Sequence, residues 1–187
     1  MSAKGEHVWK PRLAGSGDVP ALARLIPLSV RGLQSAYYTA AQMEAALGPV
    51  FGVDRQLIED GTYYVIETAD EIIGCGGWSK RKSLFGGDAG RESADPELDP
   101  QLDPARIRAY FVHPAWARRG VGSCLLATCE SAIRAAGFRS IELVATLAGE
   151  PLYAAHGYVA VARYEIPLPG ELSLPAVGMA KSIGGAG

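Results

Sequence analysis

The chain has 187 residues, of which 48% are hydrophobic and 20% charged, with a formal net charge of −2. That length and balance suit one packed domain, exclude a generally disordered chain, and exclude the basic surplus of a nucleic-acid binder. The 23 glycines exceed the usual share of about 7%, but they follow no G-X-Y period, so a collagen-like chain is excluded too.

His7 to Leu13 reads as a short first strand, with Pro11 favouring an edge. Asp18 is the expected cap of a helix with Pro20 in its first turn and Leu22, Leu25 and Ile26 on one face; Pro27 should end or kink it. Thr39 caps a second helix, Ala40 to Leu47, stopped by Gly48-Pro49. Asp54 starts a short helical turn that ends before Gly61. Thr62 to Thr68 is rich in β-branched and aromatic residues, Ala69-Asp70 is a turn, and Glu71 to Ser79 is the return strand of a hairpin. Glycines 74, 76 and 77 suit a place where a backbone or ligand comes close.

Between Lys80 and Ala105 the pattern gives way to Gly, Asp, Pro and Ser, which predicts a mobile loop over residues 80–105. Its part from Arg91 to Pro104 is acidic and lacks apolar anchors, as a lid closing over a substrate would. Arg106 to Val112 is a strand. A glycine turn and a long helix, Gly120 to Ala136, follow, with Gly137 as its stop. Then come a strand (Ser140 to Ala145), a short helix (Glu150 to His156), a strand (Tyr158 to Ile166), a last strand near Val177 to Lys181 and a Gly-rich tail. One strand–helix–strand crossover beside hairpins implies a mixed α/β sheet.

Cys75, Cys124 and Cys129 have neither disulfide-framework nor metal-ligand spacing, so buried thiols in a reducing compartment and no bound metal are expected. Met1 to Trp9 has no apolar signal-peptide core, and no run approaches the ~20 apolar residues of a membrane span. The expectation is a cytoplasmic, single-domain protein over residues 1–187, with no nucleic-acid or membrane partner.

The most informative segment is Ala117-Arg118-Arg119-Gly120-Val121-Gly122-Ser123, between a strand and a long helix. Glycines let the backbone approach a ligand, the first helical turn presents unpaired N–H groups, and two arginines add phosphate-matched donors. These are the elements of an anion cradle. It lacks the Gly-Lys-Ser/Thr of a P-loop and the third glycine of a dinucleotide fingerprint.

Here the chain resembles the GNAT superfamily of N-acetyltransferases. RAYFVHP leads through PAWARRGVGSCLL into the helix, like the family's Q/R-x-x-G-x-G/A pattern, and GEPLYAAHGYVAV and the closing VGMAKSI are similar to its later elements. Ala117 stands where the motif usually has Gln or Arg. The resemblance implies a mostly antiparallel central sheet with a splayed parallel strand pair, flanked by helices. It implies acetyl-CoA as co-substrate, with pyrophosphate on Arg118, Arg119, Gly120, Val121, Gly122 and Ser123. The pantetheine arm would pair along Phe111 and Val112, and an amide near Val112 would polarise the thioester. Tyr153 matches the position of the acid that protonates the leaving thiolate.

The strand before the cradle, RIRAYFV, has no carboxylate, so the base lies elsewhere, is a water chain or is absent; Glu67 and Asp88 are the candidates, while His113, the nearby imidazole, reads as a strand-end residue. On the acceptor side the resemblance points to Tyr37, Tyr38, Trp78 and Arg81. The implied function is acetyl transfer to a small-molecule amine. A peptide N-terminus as acceptor and a non-catalytic acyl-CoA sensor are the alternatives. The family often dimerises, so a homodimer is an option.

Overall fold

The computed structural model describes residues 8–86, 88 and 95–184. In chain order they form β1 (Arg12–Leu13), α1 (Val19–Leu33), α2 (Ala40–Ala46), α3 (Arg55–Glu59), β2 (Tyr63–Glu67), β3 (Ile72–Ser79), β4 (Ala105–Val112), α4 (Val121–Ala135), β5 (Ser140–Thr146), α5 (Glu150–Ala155), β6 (Val159–Leu168) and β7 (Leu172–Ser182). Single 3-10 turns precede α1 and follow β4. The seven strands form one sheet in the order β1-β2-β3-β4-β5-β7-β6. Neighbours are antiparallel except β4 and β5. The mixed, mostly antiparallel sheet with one parallel pair is therefore as expected.

Helices cover both faces. Leu22, Leu25, Ile26 and Val30 of α1 and Met43 of α2 pack with Val65, Phe111, Leu174 and Ala176 on one side. On the other, Leu126, Cys129 and Ile133 of α4 pack with Ile107, Ile141, Leu143 and Met179, while Val121 and Leu125 meet Ile66 and Ile73. Burial of these side chains, at about 25 cal/mol per Å² of apolar surface, is the main force holding the layers.

Three local expectations change. The first strand shortens to Arg12–Leu13, while His7 lies outside the described residues; Trp9 instead donates its indole N–H to the Arg119 carbonyl (2.9 Å). Pro27 does not stop α1, which continues to Leu33; burial of Ser29 and Val30 beyond it, and close contact of Gly32 with Pro114, offset the lost hydrogen bond. Asp18 makes no side-chain cap, because its carboxylate is held by Arg12 and the Gly15 amide. Thr39 and Asp54 cap their helices as expected, accepting from the amides of Gln42 and Leu57.

The β3 glycines receive side chains rather than a ligand. A Cβ on Gly74 would stand 2.5 Å from Val121 Cγ1, one on Gly76 2.7 Å from the Tyr110 ring, and one on Gly77 2.6 Å from the Tyr63 ring. Bulky neighbours lie over a strand with no side chains of its own at those points.

The 80–105 segment also differs from its reading. Arg91 to Ala94 lie outside the described residues, but the acidic stretch does carry an apolar anchor: Leu98 is 7% exposed and belongs to the α4-side core. Its amide donates to the Lys80 carbonyl (2.7 Å), and the Lys82 amide donates to that of Pro96 (3.1 Å).

Candidate active site

β4 and β5 pair only at Ala105 with Ile141 and Arg106 with Glu142. Beyond these positions each strand remains held by its antiparallel neighbour, and the pair opens into a V. β4 also carries a bulge. Cys75 faces Phe111 and Gly77 faces Arg108, so Ala109 and Tyr110 both stand against Gly76. Ala109 adopts φ +57°, a strained conformation for a non-glycine residue. The fully buried Tyr63 fixes it by donating its hydroxyl to the Ala109 carbonyl (2.9 Å).

A cavity of about 560 Å³ occupies this opening. Residues 107–112 of β4 and 144–146 of β5 form its walls, and Arg118, Gly120, Val121, Gly122 and Ser123 close one end. The loop before α4 turns through left-handed backbone at Arg118 (φ +62°) and Gly120 (φ +83°). The helical ladder begins with the Cys124 amide on the Gly120 carbonyl (2.9 Å), so the amides of Val121, Gly122 and Ser123 have no helical carbonyl to meet. Those amides point away from the helix at its positive end.

Two separate sequence motifs meet here. His156, at the end of α5, lies with its Nε2 3.0 Å from Ser123 Oγ in the first turn of α4. Tyr153, one turn earlier on α5, lines the same cavity and is 7% exposed. Its ring stacks edge-on to Tyr110 (6.1 Å) and Tyr158 (5.8 Å). Burial raises its pKa, so the phenol keeps its proton through the neutral range.

Seven of the residues expected at the cofactor therefore line one cavity: Phe111, Val112, Arg118, Gly120, Val121, Gly122 and Ser123. Arg119 does not. Its guanidinium lies over the Trp116 ring (5.1 Å to the centroid), which braces the loop from outside. The Val112 amide, expected to polarise a thioester, donates to Ser29 Oγ (3.1 Å), so any thioester oxygen there would compete with that hydroxyl.

The four acceptor-side residues do not line this cavity. Tyr37 sits in the turn after α1, 50% exposed and away from the cavity lining. Tyr38 is a strut: its hydroxyl donates to the Pro175 carbonyl (2.7 Å) and accepts from the Leu147 amide (2.9 Å). Trp78 points to the α4 face, where strand alternation puts it edge-on to Phe138 (6.0 Å). Arg81 grips Asp60 through two bonds of 2.7 and 2.8 Å, which holds that carboxyl below its ordinary pKa.

The base candidates are also committed. Glu67 is paired with Arg12 at the sheet edge, and Asp88 accepts from the amide and guanidinium of Arg55. His113 accepts the Ala115 amide on Nδ1, capping the 3-10 turn Pro114–Trp116. Among the described residues no Asp or Glu lines the cavity. Nor is any group of three His, Cys, Asp or Glu among them placed to hold a metal ion, and none of their helices is long and apolar enough to cross a membrane.

The sequence reading missed Arg108 and Gln34. Arg108 is 4% exposed, pairs with the fully buried Asp54 (2.9 Å), and donates to the carbonyls of Ser83 (3.2 Å) and Gly86 (2.6 Å). It ties the loop after β3 to the cavity wall. Two arginines, Arg106 and Arg108, inside an otherwise apolar strand run were the available signal. Gln34, at the end of α1, left no signal, because its place in the cavity wall depends on how α1 docks.

Comparison with known proteins gives a consistent picture. The family profile described as an acetyltransferase (GNAT) domain matches residues 59–160. The GCN5-related N-acetyltransferase of Rhodopseudomonas palustris superposes with a TM-score of 0.70 at 21% identity, over 97% of this chain and 99% of its own. The PaiA N-acetyltransferase of Thermoplasma acidophilum, solved with coenzyme A, gives 0.61 at 12% identity, over 93% and 98%. The ribosomal-protein-S18-alanine N-acetyltransferase of Escherichia coli gives 0.58 at 14%, over 96% and 97%. At such identities the structures report the fold alone. Among curated proteins no sequence match was found.

Proposed function

This chain belongs to the GNAT acetyltransferase family, a class of acetyl-CoA-dependent enzymes, and on that premise we propose that it acetylates the primary amine of a small molecule by direct attack. One observation carries the reading: a single cavity joins the splayed β4 edge, the free amides of α4 and the Tyr153 phenol. The amides of Val121, Gly122 and Ser123, with Arg118, would hold the pyrophosphate. The open edge of β4 at Phe111 and Val112 would pair the pantetheine arm as an added strand. Acetyl-CoA supplies the activated acetyl group.

The chain's own part in the reaction is positioning and proton handling. The cavity walls hold the amine against the carbonyl. A neutral amine nitrogen forms the new C–N bond as the C–S bond breaks. Tyr153 gives its proton to the departing sulfur. The proton lost by the amine leaves through water, since no carboxylate among the described residues lines the cavity. Thiol release from acetyl-CoA across a panel of amines tests the reading. Acetylated product from a small primary amine is expected; no thiol from any amine, with acetyl-CoA bound, overturns it.

A further inference from the structure

Two contacts seat α5 on the first turn of α4. Leu152 lies against Gly122, where an added Cβ would stand 3.1 Å from its Cδ2. His156 follows one helical turn later, on the same side, and brings its Nε2 to 3.0 Å from Ser123 Oγ. Both polar residues are partly buried and line the cavity. They stand beside the amides of Val121, Gly122 and Ser123, which meet no helical carbonyl, and Arg118 lines the same end. The proton transfer assigned to Tyr153 makes no use of this imidazole.

A serine hydroxyl has one hydrogen to give, so the direction of the His156–Ser123 bond decides what Ser123 offers a ligand. With the serine proton on Nε2, Oγ presents only lone pairs, which repel a phosphate oxygen. With the imidazole donating from Nε2, Oγ accepts, and the serine O–H turns outward as a donor beside the amides. No described residue bonds Nδ1, so no protein partner locks the imidazole out of this second arrangement. An O–H donated to an anionic oxygen is among the stronger hydrogen bonds. A bound phosphate therefore selects the donating imidazole.

Resting on the acetyl-CoA-dependent reading, we propose that His156 is a positioning residue for the cofactor: its Nε2–H holds Ser123 Oγ so that the serine hydroxyl donates to the pyrophosphate. Two stretches of chain then share one phosphate site. The glycine turn supplies backbone amides, and α5 supplies the orientation of a side-chain donor.

The test is calorimetric titration of the full chain with coenzyme A and with dephospho-coenzyme A, which keeps the pyrophosphate and lacks the 3′-phosphate. His156→Phe fills the ring space and cannot donate. It should weaken both ligands about tenfold, the worth of one charge-assisted hydrogen bond. His156→Gln puts an N–H back at that place and should recover most of the affinity for both. Ser123→Ala should cost the same factor as His156→Phe, and the double variant no more than either single one. Thermal melts show that each variant is folded, and His156→Ala takes the place of the phenylalanine variant if that one is not. Unchanged affinity in His156→Phe, no recovery in His156→Gln, or losses that add in the double variant overturn the role of His156 and leave the cofactor reading standing. A loss for coenzyme A alone overturns the pyrophosphate as the group that Ser123 meets. No binding of either ligand by the unaltered chain overturns the reading beneath.

Discussion

The Val112 amide donates to Ser29 Oγ at 3.1 Å, joining the open edge of β4 to the middle of α1. Ser29 is buried and lines the cavity, so its hydroxyl takes the place that an added strand would use. Ser29→Ala should leave this amide unsatisfied and destabilise the protein by about 1–3 kcal/mol. Saturating acetyl-CoA should close part of that gap if the cofactor accepts from the same amide. Thermal melts of both proteins, with and without acetyl-CoA, measure this; a gap that ligand leaves unchanged removes Val112 from the cofactor's path.

Tyr153→Phe keeps the ring packed against Tyr110 and Tyr158 and removes only the hydroxyl. Turnover should fall by about 10²-fold, with acetyl-CoA affinity and Tm nearly constant. Single-turnover kinetics beside a binding titration separates these quantities. Undiminished turnover would falsify the acid assignment.

Gly122 lies in the first turn of α4, where an added Cβ would come 3.1 Å from Leu152 Cδ2, the end of a flexible side chain. An alanine should therefore fit after a small shift of Leu152. Glutamate adds a negative charge at the helix's positive end and should abolish coenzyme A binding. Calorimetric titration of Gly122→Ala and Gly122→Glu checks the pair; retained binding by the glutamate variant would mean the phosphates lie elsewhere.

Arg108→Met strands the carboxylate of Asp54, which has no solvent exposure. Loss of one partner of such a pair costs about 3–5 kcal/mol. The loop at Ser83–Gly86 loses its tie to β4 as well, so acceptor KM should rise with the fall in Tm. Adding Asp54→Asn should recover part of the stability, because the uncompensated charge goes. Denaturant unfolding of both single variants and the double variant measures the coupling. Additive losses would show that the pair is not the source.

Burial pushes the thiols of Cys75 and Cys129 up to about 12. At pH 8 only about one in ten thousand of each is ionised, against roughly a quarter for a free thiol. Both should resist a disulfide reagent in the native protein and react in denaturant, with Cys124 slower than a free thiol because burial raises it too. Timed labelling read by mass spectrometry checks this order; fast native labelling of Cys129 would mean that α4 opens readily.

Legibility tracked the range of the interactions. The caps at Thr39 and Asp54 and the stops at Gly48 and Gly137 were readable because each is settled within a few residues. The glycine turn before α4 was readable for the same reason: it lies in one short stretch and exposes the amides of its own first helical turn. The end of α1 was misread at Pro27 because contacts with β4 and Pro114 outweigh one missing hydrogen bond. Trp78 and the β3 glycines looked like acceptor-side residues, yet which face a strand residue occupies depends on register with β2 and β4.

By itself, the sequence determined the family, the mixed sheet and the glycine turn before α4, because these rest on local backbone chemistry and adjacent motifs. Tertiary structure alone decided the rest of the cavity lining. The approach of Gln34, Phe51, Leu84 and Arg108 to one wall joins four stretches of chain far apart in sequence. Only packing of α1 and of the loop after β3 against the bulged β4 brings them together, and that packing assigns Arg108 to Asp54.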